Sequence, residues 1–401
     1  MSTKPIRVLH VLGSMGYGGV ETWLMHVLRK LDRDRTAIDI VTTKPELGEY
    51  APEAEKLGCK VMPCPVRPQV WTYGRRLGRI VREGAYDVVH SHVYFFSGYI
   101  LRIAARAGVP LRIAHIYPTV DLRPETLRRK AYRFLMTHWI NRYGNCFIAD
   151  SRAALESFWG GERSKGNAHH VLYCGIDLKP FTREGSQEQF RRELDLPLGR
   201  PVVVNVGRFV PHKNQVALVE IAEGVLRQFP DALFVLAGDG PLLPQVRRAV
   251  SEKGLDNSFR FMQGVPDLTP LWKAADVFVF PTLMEGFGIV VVEAAACSLP
   301  VVASDIPGVR EAALACSAVT LVRPRDVGGF VAATLGYLKA GRSCPPDPQK
   351  LVPFSIETSV VALRQIYSES LLALGRTAPE TPGLAGSSPP QEREDGGKVG
   401  S

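Results

Sequence analysis

The sequence predicts an α/β chain folded as two Rossmann-like, doubly wound parallel-sheet domains that face a cleft. Three observations carry this expectation. Short β-branched runs alternate with amphipathic stretches of helical period, and the whole order occurs twice, with a break near residue 180. Each half opens on a strand that runs into a loop and then a helix. A length of 401 residues exceeds one ordinary core, while 45% apolar and 22% charged residues are values of a globular chain.

Taken in order, Ile6 to Leu12 reads as a strand, Ser14 to Gly19 as a glycine loop and Val20 to Leu31 as an amphipathic helix. Further strands are expected at Ile38 to Thr42, Lys60 to Pro63, Asp87 to His92, Arg112 to His115 and Cys146 to Ala149. The second half begins with a strand from Pro201 to Gly207 and a helix from Asn214 to Phe229. It continues with a strand from Ala232 to Ala237, a helix from Leu242 to Lys253, and strands at Arg260 to Gly264, Val277 to Pro281 and Val301 to Ser304. The expected boundaries are 1–180 and 181–355 for the domains, then 356–375 for a helix that closes the second domain or crosses back to the first. From 376 to 401 the chain is Pro, Gly, Ser and charge, the composition of a disordered tail.

Charge is unevenly placed. The net +9 conceals a first half, residues 1–180, with 27 basic against 16 acidic residues, a formal +11. That asymmetry suits contact with an anionic membrane, lipid phosphate or acidic glycan. Nucleic acid has the right sign as well. However, Arg75, Arg76, Arg79, Arg82, Arg123, Arg128, Arg129, Lys130 and Arg133 fall at helical spacing without interleaved exposed aromatics, so no nucleic-acid partner is expected. Seven scattered cysteines without a C-x-x-C pair argue for reduced thiols, a cytoplasmic location and no zinc. No signal peptide and no run long enough to span a bilayer is recognised.

The most informative stretch is Glu285 to Glu293, EGFGIVVVE. It follows the buried-strand run Val277 to Pro281 and leads into a helix expected over Ile289 to Cys297. On one helix the two carboxylates would stand about 12 Å apart along the axis. Glu285 therefore belongs to the loop outside a strand's carboxyl end and Glu293 to the helix behind it, which is where doubly wound sheets bind ligands. Gly286 and Gly288 fall at the helix entrance, where unpaired N–H groups favour anions. Arg208 and Lys213, in the loop after the first strand of the second half, offer a guanidinium fork and a compact ammonium for phosphate oxygens. His90 and His92 share one strand face, cleft or packing, and His90, His92 and His212 are read as core residues; His169-His170 is read as a surface pair.

Gly16-Tyr17-Gly18-Gly19-Val20-Glu21, Asp87 to His92, Arg112 to His115, Gly207-Arg208 with Lys213-Asn214, Gly264-Val265, Glu285 to Glu293 and Pro300 to Ser304 occur together and in this order. On these motifs the chain resembles the family-4 retaining glycosyltransferases of the GT-B fold, over residues 6 to 374. The resemblance implies an acceptor-binding first domain, a nucleotide-sugar-binding second domain, and sugar transfer to a glycan or lipid-linked acceptor in polysaccharide or glycolipid biosynthesis. It assigns His115, Arg208, Lys213 and Glu285 to the reacting centre. Gly18, Gly19, Val265, Gly286, Phe287, Gly288, Ile289 and Glu293 go to substrate binding, with Gly18 and Gly19 closing on the diphosphate and the acceptor, Glu285 at the sugar and Glu293 at the ribose.

No metal or cofactor is implied besides the donor, since no Asp-x-Asp pair stands in a matching loop. Cys174 and Ser298 depart from the Asn and Gly usual in the family, at positions not expected to touch the reaction. A sugar-nucleotide epimerase or phosphorylase of the same architecture, and a non-catalytic sugar-nucleotide-binding subunit, remain as rival readings.

Overall fold

The computed structural model describes residues 4–67, 70–117, 124–160, 168–265, 267–342 and 345–376. The tail expected from 376 onward lies outside these residues, apart from Arg376, as do Arg123 and Cys344. Two all-parallel sheets form the frame. The first holds β1 (Ile6–Leu12), β2 (Thr36–Thr42), β3 (Val61–Pro63), β4 (Val88–Ser91), β5 (Leu111–Ile116), β6 (Cys146–Ala149) and β7 (His169–Val171), in the spatial order β3-β2-β1-β4-β5-β6-β7. The second holds β8 (Val202–Val206), β9 (Leu233–Ala237), β10 (Phe259–Met262), β11 (Val277–Phe280), β12 (Val301–Ser304) and β13 (Val319–Val322), in the order β10-β9-β8-β11-β12-β13. Strand order reverses beside β1 and beside β8, and both reversals create a crevice at the strands' carboxyl ends.

The strands are apolar on both faces because helices cover both. Val8 and Leu12 enter one core while Leu9 and Val11 enter the core on the other side of the sheet. In the second sheet Val202, Val204, Phe278 and Phe280 face one cluster, and Val203, Val277 and Val279 the other. A parallel sheet wrapped by crossover helices requires this of its sequence, which is why the runs are continuous and not alternating.

Two strands differ from the expected set. β7 contains His169 and His170, half-buried in an edge strand with the His169 ring on Phe147, so the expected surface pair is corrected to part of the sheet. β13 is a four-residue edge strand, Val319–Val322, followed two positions later by Pro324. The helix expected from Asn214 is shorter, Ala217–Leu226, because Pro211–Lys213 forms a 3-10 turn and Asn214 is left-handed at φ 55°.

The helix Ile356–Ala373 packs on the first sheet: Ile356, Val360, Leu363, Ile366, Tyr367 and Leu371 join the core of β1, β2 and β5. Each such side chain contributes about 1.5 to 3 kcal/mol of apolar burial. Trp23 donates its indole N–H to Ser359 Oγ at 2.8 Å, and Lys30 meets Glu357 at 2.9 Å. Where the chain passes between domains, Ile176 pairs with the segment at Ser355, donating to Phe354 O at 2.9 Å and accepting from Ile356 N at 2.8 Å. Among the described residues no helix is long and apolar enough to cross a membrane.

Candidate active site

The carboxyl edge of the second sheet carries the charged loops. β11 ends at Phe280, and the loop beyond it reaches Glu285 before Gly288, at φ 91°, turns the chain into the helix Ile289–Ala296. A left-handed residue is needed at that point, and glycine adopts it without strain. Gly288 caps this helix without a side chain; Val291 N donates to Gly288 O at 2.9 Å, and the N–H groups of Ile289 and Val290 precede it at the helix entrance. Lys213 Nζ lies 2.5 Å from Glu285 Oε1, both largely shielded, and 5.0 Å from the Phe280 ring centroid. Thr282 Oγ1 is 2.9 Å from the same Glu285 oxygen. Two residues 72 positions apart in sequence are thus brought to one point, one from the loop after β8 and one from the loop after β11.

Arg208 is exposed in the loop after β8 and acts electrostatically on Glu21 of the first domain. Burial raises the Glu21 carboxyl above its usual range while Lys44 and Arg208 oppose that rise. Glu21 folds over Gly18, the residue preceding the helix Gly19–Lys30, and a side chain at Gly18 would strike its carboxylate. Gly19 faces open space. Glu293 sits on the helix behind the turn, partly exposed, with a shielded Oε2 that has no hydrogen-bond partner. Burial pushes its carboxyl up to about 7, and the Trp272 indole pulls the other way. Gly264, at φ 63°, and Val265 follow edge strand β10.

The remaining donor-loop residues lie against the first domain. A side chain at Gly286 would collide with Tyr117 O, and Ser151 Oγ donates to Gly286 O at 2.7 Å. Ile289 touches the cores of both domains. Phe287 is a core residue packed on Tyr173 and Phe354, so its side chain takes no part in binding and only its backbone is left for that role. Glu311 accepts from Arg152 N at 2.9 Å and Ala153 N at 2.8 Å across the domain boundary.

His115 differs from expectation in its setting. It is fully buried in β5, where His10, His90, His92, Tyr117 and Tyr367 surround it, and its Nε2 has no partner. Burial holds His90, His92 and His115 well below the ordinary imidazole value and lowers His10 to about 3, so all four are neutral. His90 and His92 are buried as the core reading expects, yet their nitrogens hydrogen-bond within this cluster. His212 is only half-buried, in the turn beside Lys213.

Sequence reading missed His10, Tyr117, Tyr367 and Asp150. Asp150 is buried beside Ser151 and Gly286, and desolvation raises its carboxyl far above normal. Strand register was the available clue, since His10 pairs with His90 between β1 and β4.

Comparison with known proteins finds glycosyltransferases over both halves of the chain. Residues 186–342 match the model of glycosyl transferases group 1, and residues 18–175 match the glycosyl transferase 4-like domain. The putative glycosyltransferase EpsF of Bacillus subtilis is 29% identical over 309 residues, covering 76% of this chain and 80% of that protein. The D-inositol 3-phosphate glycosyltransferase of Corynebacterium jeikeium is 27% identical, covering 92% and 95%.

Among solved structures, Anabaena Alr3699/HepE in complex with UDP and glucose superimposes with a TM-score of 0.74 at 20% identity, over 91% of this chain and all of that one. Sucrose-phosphate synthase of Thermosynechococcus elongatus gives 0.71 at 21% identity, covering 92% and 100%. The fold is therefore GT-B, and the chain belongs to the family-4-like glycosyltransferases, enzymes that transfer sugars.

Proposed function

We propose that this glycosyltransferase moves a hexose-type sugar from a nucleoside-diphosphate sugar to a glycan or lipid-linked acceptor, with retention of configuration and without a metal or other cofactor. The observation that carries the reading is the convergence of Lys213 and Glu285 at the entrance of the Ile289–Ala296 helix, with Glu293 behind it. Cleaving a sugar–diphosphate bond develops negative charge on the leaving oxygens, and fixed cations and helix N–H groups stabilise that charge. Lys213 and Arg208 supply the cations.

Lys213 and Glu285 neutralise one another without a ligand, so a donor separates them. Its diphosphate takes the ammonium and its vicinal sugar hydroxyls take the carboxylate. The ribose hydroxyls give Glu293 Oε2 the donors that it lacks. The acceptor hydroxyl attacks from the face of the departing diphosphate, a route with no carboxylate nucleophile opposite the leaving group. The UDP and glucose held by the Anabaena protein support a nucleotide-sugar donor.

The first domain meets the acceptor and an anionic membrane on the cytoplasmic side. Its helices Val70–Gly84 and Leu127–Tyr143 expose Trp71, Leu127 and Phe134 beside Arg75, Arg79, Arg128 and Lys130, which corrects the expectation that no exposed aromatics stand among these basic residues. Exposed apolar anchors among basic residues fit an anionic interface. Co-sedimentation with phosphatidylglycerol vesicles and none with phosphatidylcholine is expected; equal binding to both removes this part of the reading.

Thermal stabilisation by a panel of UDP, GDP and ADP identifies the base, because a ligand that binds only the folded chain raises its stability. Product anomers from the matching sugar donor, resolved by NMR in the presence of EDTA, test retention and metal independence together. Lys213→Ala and Glu285→Ala are each expected to lower transfer by about 100-fold or more. Full turnover by both variants ends the assignment.

A further inference from the structure

The helix Arg152–Trp159, which follows β6 in the first domain, begins with N–H groups that its own turns cannot pair. Their partners are divided between the two domains. Ser151, the residue before the helix, takes the Ala154 N–H on its Oγ at 3.0 Å, and its carbonyl takes the Leu155 N–H at 3.1 Å. The Arg152 and Ala153 N–H groups instead reach Glu311 of the second domain, at 2.9 and 2.8 Å, one on each carboxylate oxygen. Tyr173 OH donates to Glu311 as well, at 3.2 Å.

A hydroxyl that accepts an N–H still has one proton to give. Two acceptors lie near Ser151 Oγ: Gly286 O at 2.7 Å, across the domain boundary, and Asp150 Oδ1 at 3.4 Å, beside it in the chain. The first is an ordinary O–H···O length and the second is beyond it, so the proton goes to Gly286. A trans peptide points its C=O and N–H in opposite directions, and the bond that holds the Gly286 carbonyl therefore also sets the direction of the Phe287 N–H. Glycine has the freest backbone of any residue, so this peptide takes its orientation from what surrounds it.

The second domain closes on the same carbonyl. Gly308, in the short helix Pro307–Ala312, packs so tightly on Glu285 O and Gly286 O that a side chain there would strike both. Glu311 lies three positions on and shares that helix face. One short helix thus touches the turn with one residue and the first domain with another. Separating the domains would free the Gly286 carbonyl and two helix N–H groups together, so the shape of the turn and the closure of the domains change as one.

We propose that Ser151 and Glu311 are positioning residues that clamp the Glu285–Gly288 turn across the domain boundary, so that a residue of the first domain helps to set how tightly the turn of the second holds a nucleoside-diphosphate donor. What the turn holds rests on the transferase reading; the clamp itself does not. Neither residue has to touch the donor, because both act through the Gly286 peptide.

Calorimetry with UDP, GDP and ADP on the full chain, and kinetics with UDP-glucose and GDP-mannose, read the effect. Ser151→Ala and Glu311→Ala are each expected to weaken the preferred diphosphate about tenfold and raise donor KM in proportion, with kcat changed less than about threefold. The double variant should lose less than the product of the two single losses, since either change already releases the same boundary. Glu311→Gln keeps the shape of the side chain and one accepting oxygen, and gives a smaller loss of the same kind should Glu311→Ala fold poorly. Leu155→Ala shortens a buried side chain of the same helix inside the first domain; it should lower Tm and leave diphosphate affinity unchanged.

Unchanged affinity in folded Ser151 and Glu311 variants overturns the proposal. An equal loss in Leu155→Ala overturns it too, because the effect would then be a general loosening, and losses that multiply in the double variant overturn a single clamp. Amide hydrogen exchange without ligand tests the clamp alone: Arg152 and Ala153 should exchange slowly in the wild type and faster in Glu311→Ala, and fast exchange in the wild type overturns it. A wild type that is protected there but binds none of the three diphosphates sinks the donor reading and leaves the clamp standing.

Discussion

The two sheets share one strand order, yet their carboxyl edges are made of different material. In the first, β1, β4 and β5 carry histidines near their carboxyl ends that are buried, neutral and hydrogen-bonded to one another. In the second, β8 and β11 are apolar apart from Asn205, and the polar groups lie beyond them as an ion pair between loops and a carboxylate on the following helix without a full set of partners. A buried, satisfied network is rigid and specifies one arrangement. An ion pair at the mouth of a crevice can exchange partners when a ligand brings better ones. One topology thus supplies a fixed wall from the first domain and an adjustable grip from the second.

Acid separates the two edges most strongly. Imidazoles whose folded values are depressed bind fewer protons folded than unfolded below 6.5, so stability falls as pH drops beneath that value. Each contributes about 1.4 kcal/mol per pH unit. Thermal melts from pH 7 to 5 should show a steep loss of Tm; a flat profile would mean that the histidine cluster is not neutral in the folded chain.

Gly286→Ala attacks the junction of the two edges, because the new methyl meets Tyr117 O. Overpacking of this kind costs about 1 to 3 kcal/mol. Small-angle scattering should show the domains further apart, and an unchanged profile with full stability would show that the contact is not tight.

Glu293 responds to pH in the opposite sense to the histidines. Its folded value of about 7 lies above the ordinary 4.5, so the folded chain binds more protons and loses stability as pH rises through that window. Glu293→Gln should therefore be more stable than the wild type at pH 8 by about 1 to 2 kcal/mol, with the gap closing near pH 5. An identical gap at both pH values contradicts a buried carboxyl. The smallest effect is expected at Gly19, where an added methyl meets nothing. Gly19→Ala should gain about 0.5 kcal/mol of helix stability in chemical unfolding. Lost turnover in that variant would place a ligand there, and unchanged turnover would remove Gly19 from the site.

The two edges were also unequally legible in the sequence. Glu285, Gly286, Gly288 and Glu293 are close together in the chain, so their spacing alone exposes a turn and a helix face. β1, β6 and β12 have the bounds read from their apolar runs. His10, His90, His115 and Tyr367 belong to four separate elements, and only the order β1-β4-β5 and the return of the last helix make them neighbours. No local pattern records such a meeting. β7 and β13 escaped notice for a related reason: edge strands of three and four residues draw their shape from one neighbour more than from their own composition.

The return of the last helix has a consequence for synthesis. A face of the first sheet is covered by residues from Ile356 onward, 180 positions after the chain has left that domain at Ile176. On a translating ribosome adding about 5 to 20 residues per second, that interval lasts roughly 10 to 40 s. Throughout it the first domain stands unfinished with an apolar face uncovered, while the second can close as soon as its own strands emerge. The half of the protein that is written first is the half that is completed last.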